Sequence, residues 1–293
     1  MPMPVHDAFL SRYDAMLARW PVPNQPVDVP GRFGTTRVNV CGVPDGPAVV
    51  LLPGGGSTST VWWGTVGALA STHRVLAIDL IGDSGRSVYD GEPITGLADL
   101  MRWLDDTLDA LGVPDAVVVA HSYGGWIATQ YALHAPGRVG GLVLLDPTEC
   151  LAPERLTFRL RGIPLFIGRS DDRYCSFLRW EAGGRELDQQ WLDLWSVPFG
   201  GNRKLVWPKL IPPDRLATLA APTLLILAGA SRQNPTRRMA ETARRFLPAA
   251  RVVTLPDATH FTLPQEHPDE INAMLREFLD ERAERSGPAA ARS

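Results

Sequence analysis

Five short, largely apolar runs constrain this chain more than any other feature: AVVLL (48–52), RVLAIDL (74–80), AVVVA (116–120), GLVLLD (141–146) and PTLLILAG (222–229). Runs of this length without polar alternation read as strands covered on both faces, as in a parallel sheet. Helical patterns separate them. Leu97, Leu100, Met101, Leu104, Leu108 and Leu111 share one face of residues 94–112, where Gly112 supplies a stop. A second helix spans 124–135 and ends at Pro136, and two more are expected near 236–247 and 268–283. TRVNV (36–40) alternates like a half-exposed strand, and RVVTLP (251–256) reads as the last strand. Strands alternating with helices predict an α/β fold, a mostly parallel central sheet with helices on both faces.

The rhythm breaks after Asp146. Residues 147–215 hold no valine-rich strand but four of the nine tryptophans, Trp180, Trp191, Trp195 and Trp207, and read as an inserted helical cap. Residues 1–30 are expected to be an N-terminal helical extension, with an amphipathic helix over 6–20 carrying Phe9, Tyr13, Met16, Leu17 and Trp20. The core is then 31–146 with 216–283, and 284–293 a disordered tail. The first residues lack the basic and apolar regions of a signal peptide, and no apolar run is long enough for a membrane span, so the cytoplasm is expected. A net charge of −3, from 29 basic and 32 acidic residues, offers no basic stripe for nucleic acid. Cys41, Cys150 and Cys175 are too few and too scattered for a disulfide framework or a zinc site.

The chemistry concentrates at VVVAHSYGGW (117–126). Ser122 stands where a buried strand gives way to a helix, with Ala120, Gly124 and Gly125 as the small neighbours such a turn needs. A-H-S-Y-G is a one-residue variant of G-x-S-x-G, the nucleophile elbow that lifts a serine oxygen beside the free N–H groups of a helix start. A hydroxyl is a weak nucleophile until a base takes its proton, so a histidine must be supplied from elsewhere in the chain.

With these motifs the chain resembles the α/β-hydrolase fold superfamily, in its capped, lipase/esterase-like form, from roughly residue 33 to 280. The resemblance implies Ser122 as nucleophile and His260, in LPDATHFTLPQEHPDEI between the last strand and last helix, as base. It implies an oxyanion hole from the Tyr123 amide and from the loop LLPGGGS (51–57), with Gly55 as the donor and Gly56 as second choice. Most relatives carry their acid in the loop after the PTLLILAG strand, but AGASRQNP (228–235) has no carboxylate, and Arg232 stands about where it would be. Some carry it one strand earlier, which implies Asp146, with Glu149 three residues on or no acid at all as the alternatives. His121 shapes the pocket on this reading, while His73, His134 and His267 read as structural. Asp79 reads as a brace between loops and Asp83 as a loop or pocket residue.

Trp180 and Trp195, with Phe158, Phe166, Phe177 and Phe199, suggest an apolar pocket over the serine, or the cap's own small core. Arg159, Arg161, Arg169 and Arg173 read as a solvated surface, although a carboxylate-bearing substrate could use them. The expected function is a serine hydrolase for a small-molecule ester, lactone or thioester, working on an apolar substrate without metal or cofactor and without nucleic-acid or membrane partners. The alternatives are acyl transfer, perhydrolysis or lyase chemistry on the same fold, or a catalytically weak ligand-binding protein. The substrate and the oligomeric state stay open.

Overall fold

A computed structural model of the protein describes residues 5–162, 171–197, 204–265 and 267–286. Eight strands form one sheet in the order β1-β2-β4-β3-β5-β6-β7-β8. They are β1 Asn24–Gly31, β2 Gly34–Gly42, β3 Ala48–Leu52, β4 Arg74–Ile78, β5 Ala116–His121, β6 Val139–Leu145, β7 Thr223–Ala228 and β8 Arg251–Leu255. β1 and β2 form an antiparallel hairpin and β2 runs antiparallel to β4. Every other pairing is parallel.

The apolar runs are buried on both faces because successive side chains of a strand point to opposite sides. Val50, Leu76, Val118, Leu142 and Leu225 join a core formed with α3 (Leu97–Ala110), α4 (Ser122–His134) and α9 (Thr236–Phe246). Their neighbours Val49, Val75, Val117, Val143 and Leu224 join a second core with α2 (Val66–Ala70) and α10 (Pro268–Ser286). The parallel strands all end at one edge of the sheet, so the loops after β3, β5, β6, β7 and β8 gather there. Ligands of open parallel sheets bind at such an edge.

Between β6 and β7 lie α5 (Leu156–Gly162), α6 (Asp171–Glu181), α7 (Gln189–Ser196) and the single turn α8 (Pro213–Leu216). Leu178, Ala182, Trp191 and Trp195 of this segment share a third core with Phe9, Tyr13 and Met16 of α1 (Val5–Leu17). The N-terminal helix therefore packs on the insertion. The buried Tyr13 hydroxyl also donates to Asp79 at 2.9 Å.

Two expectations are corrected. The N-terminal segment is not wholly helical, because β1 occupies 24–31. Pro26 and Pro30 obscured it, since proline cannot donate to a ladder, but β1 is an edge strand with one partner, where proline is tolerated. Residues 284–286 of the expected tail belong to α10. The rest of that tail, together with Phe166, Arg169 and Phe199, lies outside the described residues.

Candidate active site

Ser122 follows the last residue of β5 and opens α4 with φ of +53°, in the left-handed region. A non-glycine residue there costs about 1–3 kcal/mol, which the packed surroundings must offset. The turn closes so tightly on β3 that a Cβ on Gly124 would lie 2.4 Å from the Pro53 carbonyl oxygen. Only glycine fits at that position.

His260 Nε2 lies 2.8 Å from Ser122 Oγ, and His260 Nδ1 lies 2.7 Å from Asp146 Oδ2. A carboxylate only accepts, so Nδ1 carries the proton and Nε2 is left to accept the serine proton. Burial opposes charge on the His260 ring, but the hydrogen bond and charge of Asp146, with the charges of Glu181 and Glu154, outweigh it and raise the pKa above the ordinary histidine value. Of the six histidines in the chain, the fold brings this one to the serine.

Asp146 directly follows the last residue of β6, fully buried, with φ of +42°. Its Oδ2 also accepts from Asn234 Nδ2 at 2.9 Å and Ser231 Oγ at 3.1 Å, and its Oδ1 accepts the Ala228 N–H at 3.4 Å. The carboxylate-free loop 228–235 therefore supplies donors to an acid on the neighbouring strand. Arg232 turns away and donates to the Trp180 carbonyl at 2.7 Å. Glu149 does not reach the histidine; it pairs with Arg159 and accepts the Glu154 N–H at 3.1 Å. With Asp146 on the ring, the missing acid in 228–235 no longer argues for a protein without turnover.

Gly55 and Tyr123 border the same space, where a Cβ on Gly55 would sit 3.4 Å from Tyr123 Cβ. Among the described residues the Gly55 amide makes no hydrogen bond. The Gly56 N–H donates to Asp83 Oδ2 at 2.7 Å. Gly56 is thereby committed to holding the loop, which removes the second choice for an oxyanion donor and gives Asp83 a structural task. Asp79 accepts the Ser59 and Arg86 N–H groups at 2.7 and 2.8 Å, joining two loops.

His121 is buried, and burial first, then the charge of His260, push its pKa well below the ordinary value. The neutral ring donates Nε2–H to the His260 carbonyl at 2.8 Å. A cavity of about 630 Å³ opens at Ser122 and His260, and His121, Phe177, Trp191, Trp195 and Phe261 are among its walls. Trp180 is not one of them. One turn along α6 from Phe177, it packs behind that ring at 5.7 Å and carries the Arg161 and Arg232 guanidiniums over its face at 4.8 and 5.2 Å.

Thr148 was not anticipated. Its Oγ1 lies 3.1 Å from Ser122 Oγ and accepts from Gln233 Nε2 at 2.9 Å. The only signal was its place two residues after the strand-ending Asp146. Among the described residues no group of three or more His, Cys, Asp or Glu could hold a metal ion, and no helix is long and apolar enough to cross a membrane.

Residues 49–274 match the sequence profile of the family described as "Alpha/beta hydrolase family". Carboxylesterase YbfK of Bacillus subtilis is 27% identical over 283 residues, spanning 92% of this chain and 93% of its own length. The uncharacterized carboxylesterase nap of the same bacterium is 25% identical over 284 residues, covering 93% of this chain and 92% of its own length. The crystal structure of carboxylesterase CesB (YbfK) superposes with a TM-score of 0.87 at 25% identity, over 94% of this chain and 98% of that one.

Proposed function

The chain belongs to the alpha/beta hydrolase family, and from that premise we propose that it is a serine esterase with Ser122 as nucleophile, His260 as base and Asp146 as acid. The observation that carries the proposal is the continuous line of hydrogen bonds from Asp146 through His260 to Ser122, 2.7 and 2.8 Å long, ending at the cavity. The carboxylesterase names of two relatives that span more than nine-tenths of the chain support it.

On this reading the Ser122 oxygen attacks the ester carbonyl while His260 Nε2 takes its proton. The carbonyl oxygen becomes an oxyanion held by the backbone N–H groups of Gly55 and Tyr123. Asp146 keeps the ring in the productive tautomer and stabilises the imidazolium as it forms. His260 then protonates the leaving alcohol, and an acyl-enzyme remains. Water, deprotonated by the same ring, releases the acid.

The helices α5–α7 act as a cap on this proposal. Their aromatic side chains on the cavity favour an apolar acyl or alkoxy group, and about 630 Å³ leaves room for an aryl ester. A fluorophosphonate probe is expected to label the native protein and not Ser122→Ala, and a panel of aryl and alkyl esters is expected to lose at least about 10⁴-fold in rate with that variant. Equal labelling of both proteins would end the proposal. Added alcohol or peroxide separates hydrolysis from acyl transfer and perhydrolysis, because only the latter two divert the acyl-enzyme.

A further inference from the structure

We propose that Glu181 is a positioning residue for the catalytic histidine: the insertion helix α6 delivers a buried carboxylate that grips the backbone of the His260 loop. This rests on the reading of His260 as the base. Glu181 is the last residue of α6 and is fully buried. No Lys or Arg is within ion-pairing distance of it among the described residues. A buried carboxylate without a cation is costly unless its lone pairs are filled.

Three backbone amides fill them. His260 N–H donates to Oε1 at 3.1 Å and Phe261 N–H to Oε2 at 3.0 Å, so that two successive amides form a fork on one carboxylate. Arg232 N–H adds a longer bond to Oε1 at 3.4 Å.

His260 is thus held at four points. Its N–H is bound by Glu181, its C=O by His121, its Nδ1 by Asp146 and its Nε2 by Ser122. The same end of α6 grips the loop that serves Asp146, since Arg232 donates to the Trp180 carbonyl and covers the Trp180 ring. That loop carries Ser231 and Asn234, the donors to Asp146. Two adjacent residues of the insertion therefore hold both halves of the His–Asp pair.

Glu181 also acts through charge. The groups facing His260 are Asp146, Glu181, Glu154 and the neutral His121 ring, whose centroid is 4.8 Å away. Asp146 contributes most to keeping the imidazolium, and Glu181 adds to it. Burial holds the pKa of Glu181 above the ordinary carboxylate value, and the charge of His260 offsets part of that rise.

The test compares Glu181→Gln and Glu181→Asp with the native enzyme in pH profiles of kcat/KM for an aryl ester. Glutamine removes the charge and presents an NH₂ to one of the amides. We expect kcat to fall about 10- to 100-fold with KM little changed, and the acid limb to move down by at least about half a pH unit. Aspartate keeps the charge but withdraws it by one methylene, so kcat falls and the limb stays. A native kcat in either variant, or an unmoved limb in a folded Glu181→Gln, overturns the proposal. If the glutamine variant does not fold, the aspartate variant decides through kcat. Should Ser122→Ala retain full activity, the esterase reading itself has failed instead.

Discussion

Replacing Asp146 by asparagine changes little in shape and much in charge, and it tests the least familiar feature of the site. The carboxylate receives four donors: His260 Nδ1–H, Asn234 Nδ2–H, Ser231 O–H and Ala228 N–H. An asparagine has one acceptor oxygen and one NH₂ group, so at least one donor meets another donor. If the NH₂ turns toward His260, Nδ1 becomes the acceptor and Nε2 carries the proton, which leaves nothing to receive the proton of Ser122. If the oxygen turns toward His260, the tautomer survives but the charge is gone. A unit charge about 4 Å from the imidazolium is worth about 4 kcal/mol at an effective dielectric of 20, close to a thousandfold in rate. Adding the tautomer penalty gives a loss of about 10⁴-fold in kcat. The assay is steady-state hydrolysis of an aryl ester at pH 8, with thermal unfolding to verify the fold. Glu149→Gln is the control, because Glu149 pairs with Arg159 away from the ring, and its rate is expected to stay within a few-fold of native. A folded Asp146→Asn enzyme within tenfold of the native rate would refute the assignment and turn attention to Glu154 or Glu181.

Two further outcomes follow from the same geometry. Thr148→Val removes a hydroxyl 3.1 Å from the nucleophile without changing the side chain's shape. As the serine proton leaves, growing negative charge on Oγ strengthens that hydrogen bond, so kcat/KM is expected to fall about tenfold, one hydrogen bond's worth, with Thr148→Ser restoring most of it. The acid limb of the native pH profile reports His260, which must be neutral to act as base. Because the Asp146, Glu181 and Glu154 charges outweigh burial and raise its pKa, activity is expected to be lost as pH falls through a midpoint above the ordinary value of about 6.5, and a midpoint below it would contradict the electrostatics.

Much of the sheet was legible because its central strands are covered on both faces, and their apolar runs say so directly. Ser122 and His260, the proposed nucleophile and base, stood out because an elbow and a loop histidine are local patterns with fixed places in the order of the chain. The first strand was not: NQPVDVPG holds two prolines and belongs to an edge, where tertiary pairing overrides a weak local pattern. Trp180 went to the wrong place because helical spacing alone does not say which of two adjacent faces meets the cavity. Glu181 ends a polar helix and carries no signal of its own in the sequence, and only the amides of residues 260 and 261, some 80 positions along the chain, give its carboxylate a reason to be inside.

On the proposed triad, an acid at Asp146 has a physical consequence for the carboxylate-free loop after β7. β6 and β7 are hydrogen-bonded neighbours, paired from Leu142–Thr223 to Leu145–Ile226, so their ends lie one strand spacing apart, about 4.8 Å. An acid at the end of either strand would approach the same histidine, but carboxylates at both ends would set two like charges about one strand spacing from each other. With the proposed acid at the end of β6, the β7 loop has to offer donors rather than a second acceptor. AGASRQNP meets that requirement with Ser231 and Asn234, while Arg232 is directed outward to the end of α6. The missing carboxylate in this loop and the presence of Asp146 are thus one arrangement. On that reading, the sequence feature that first suggested an incomplete triad is the complement the proposed acid needs.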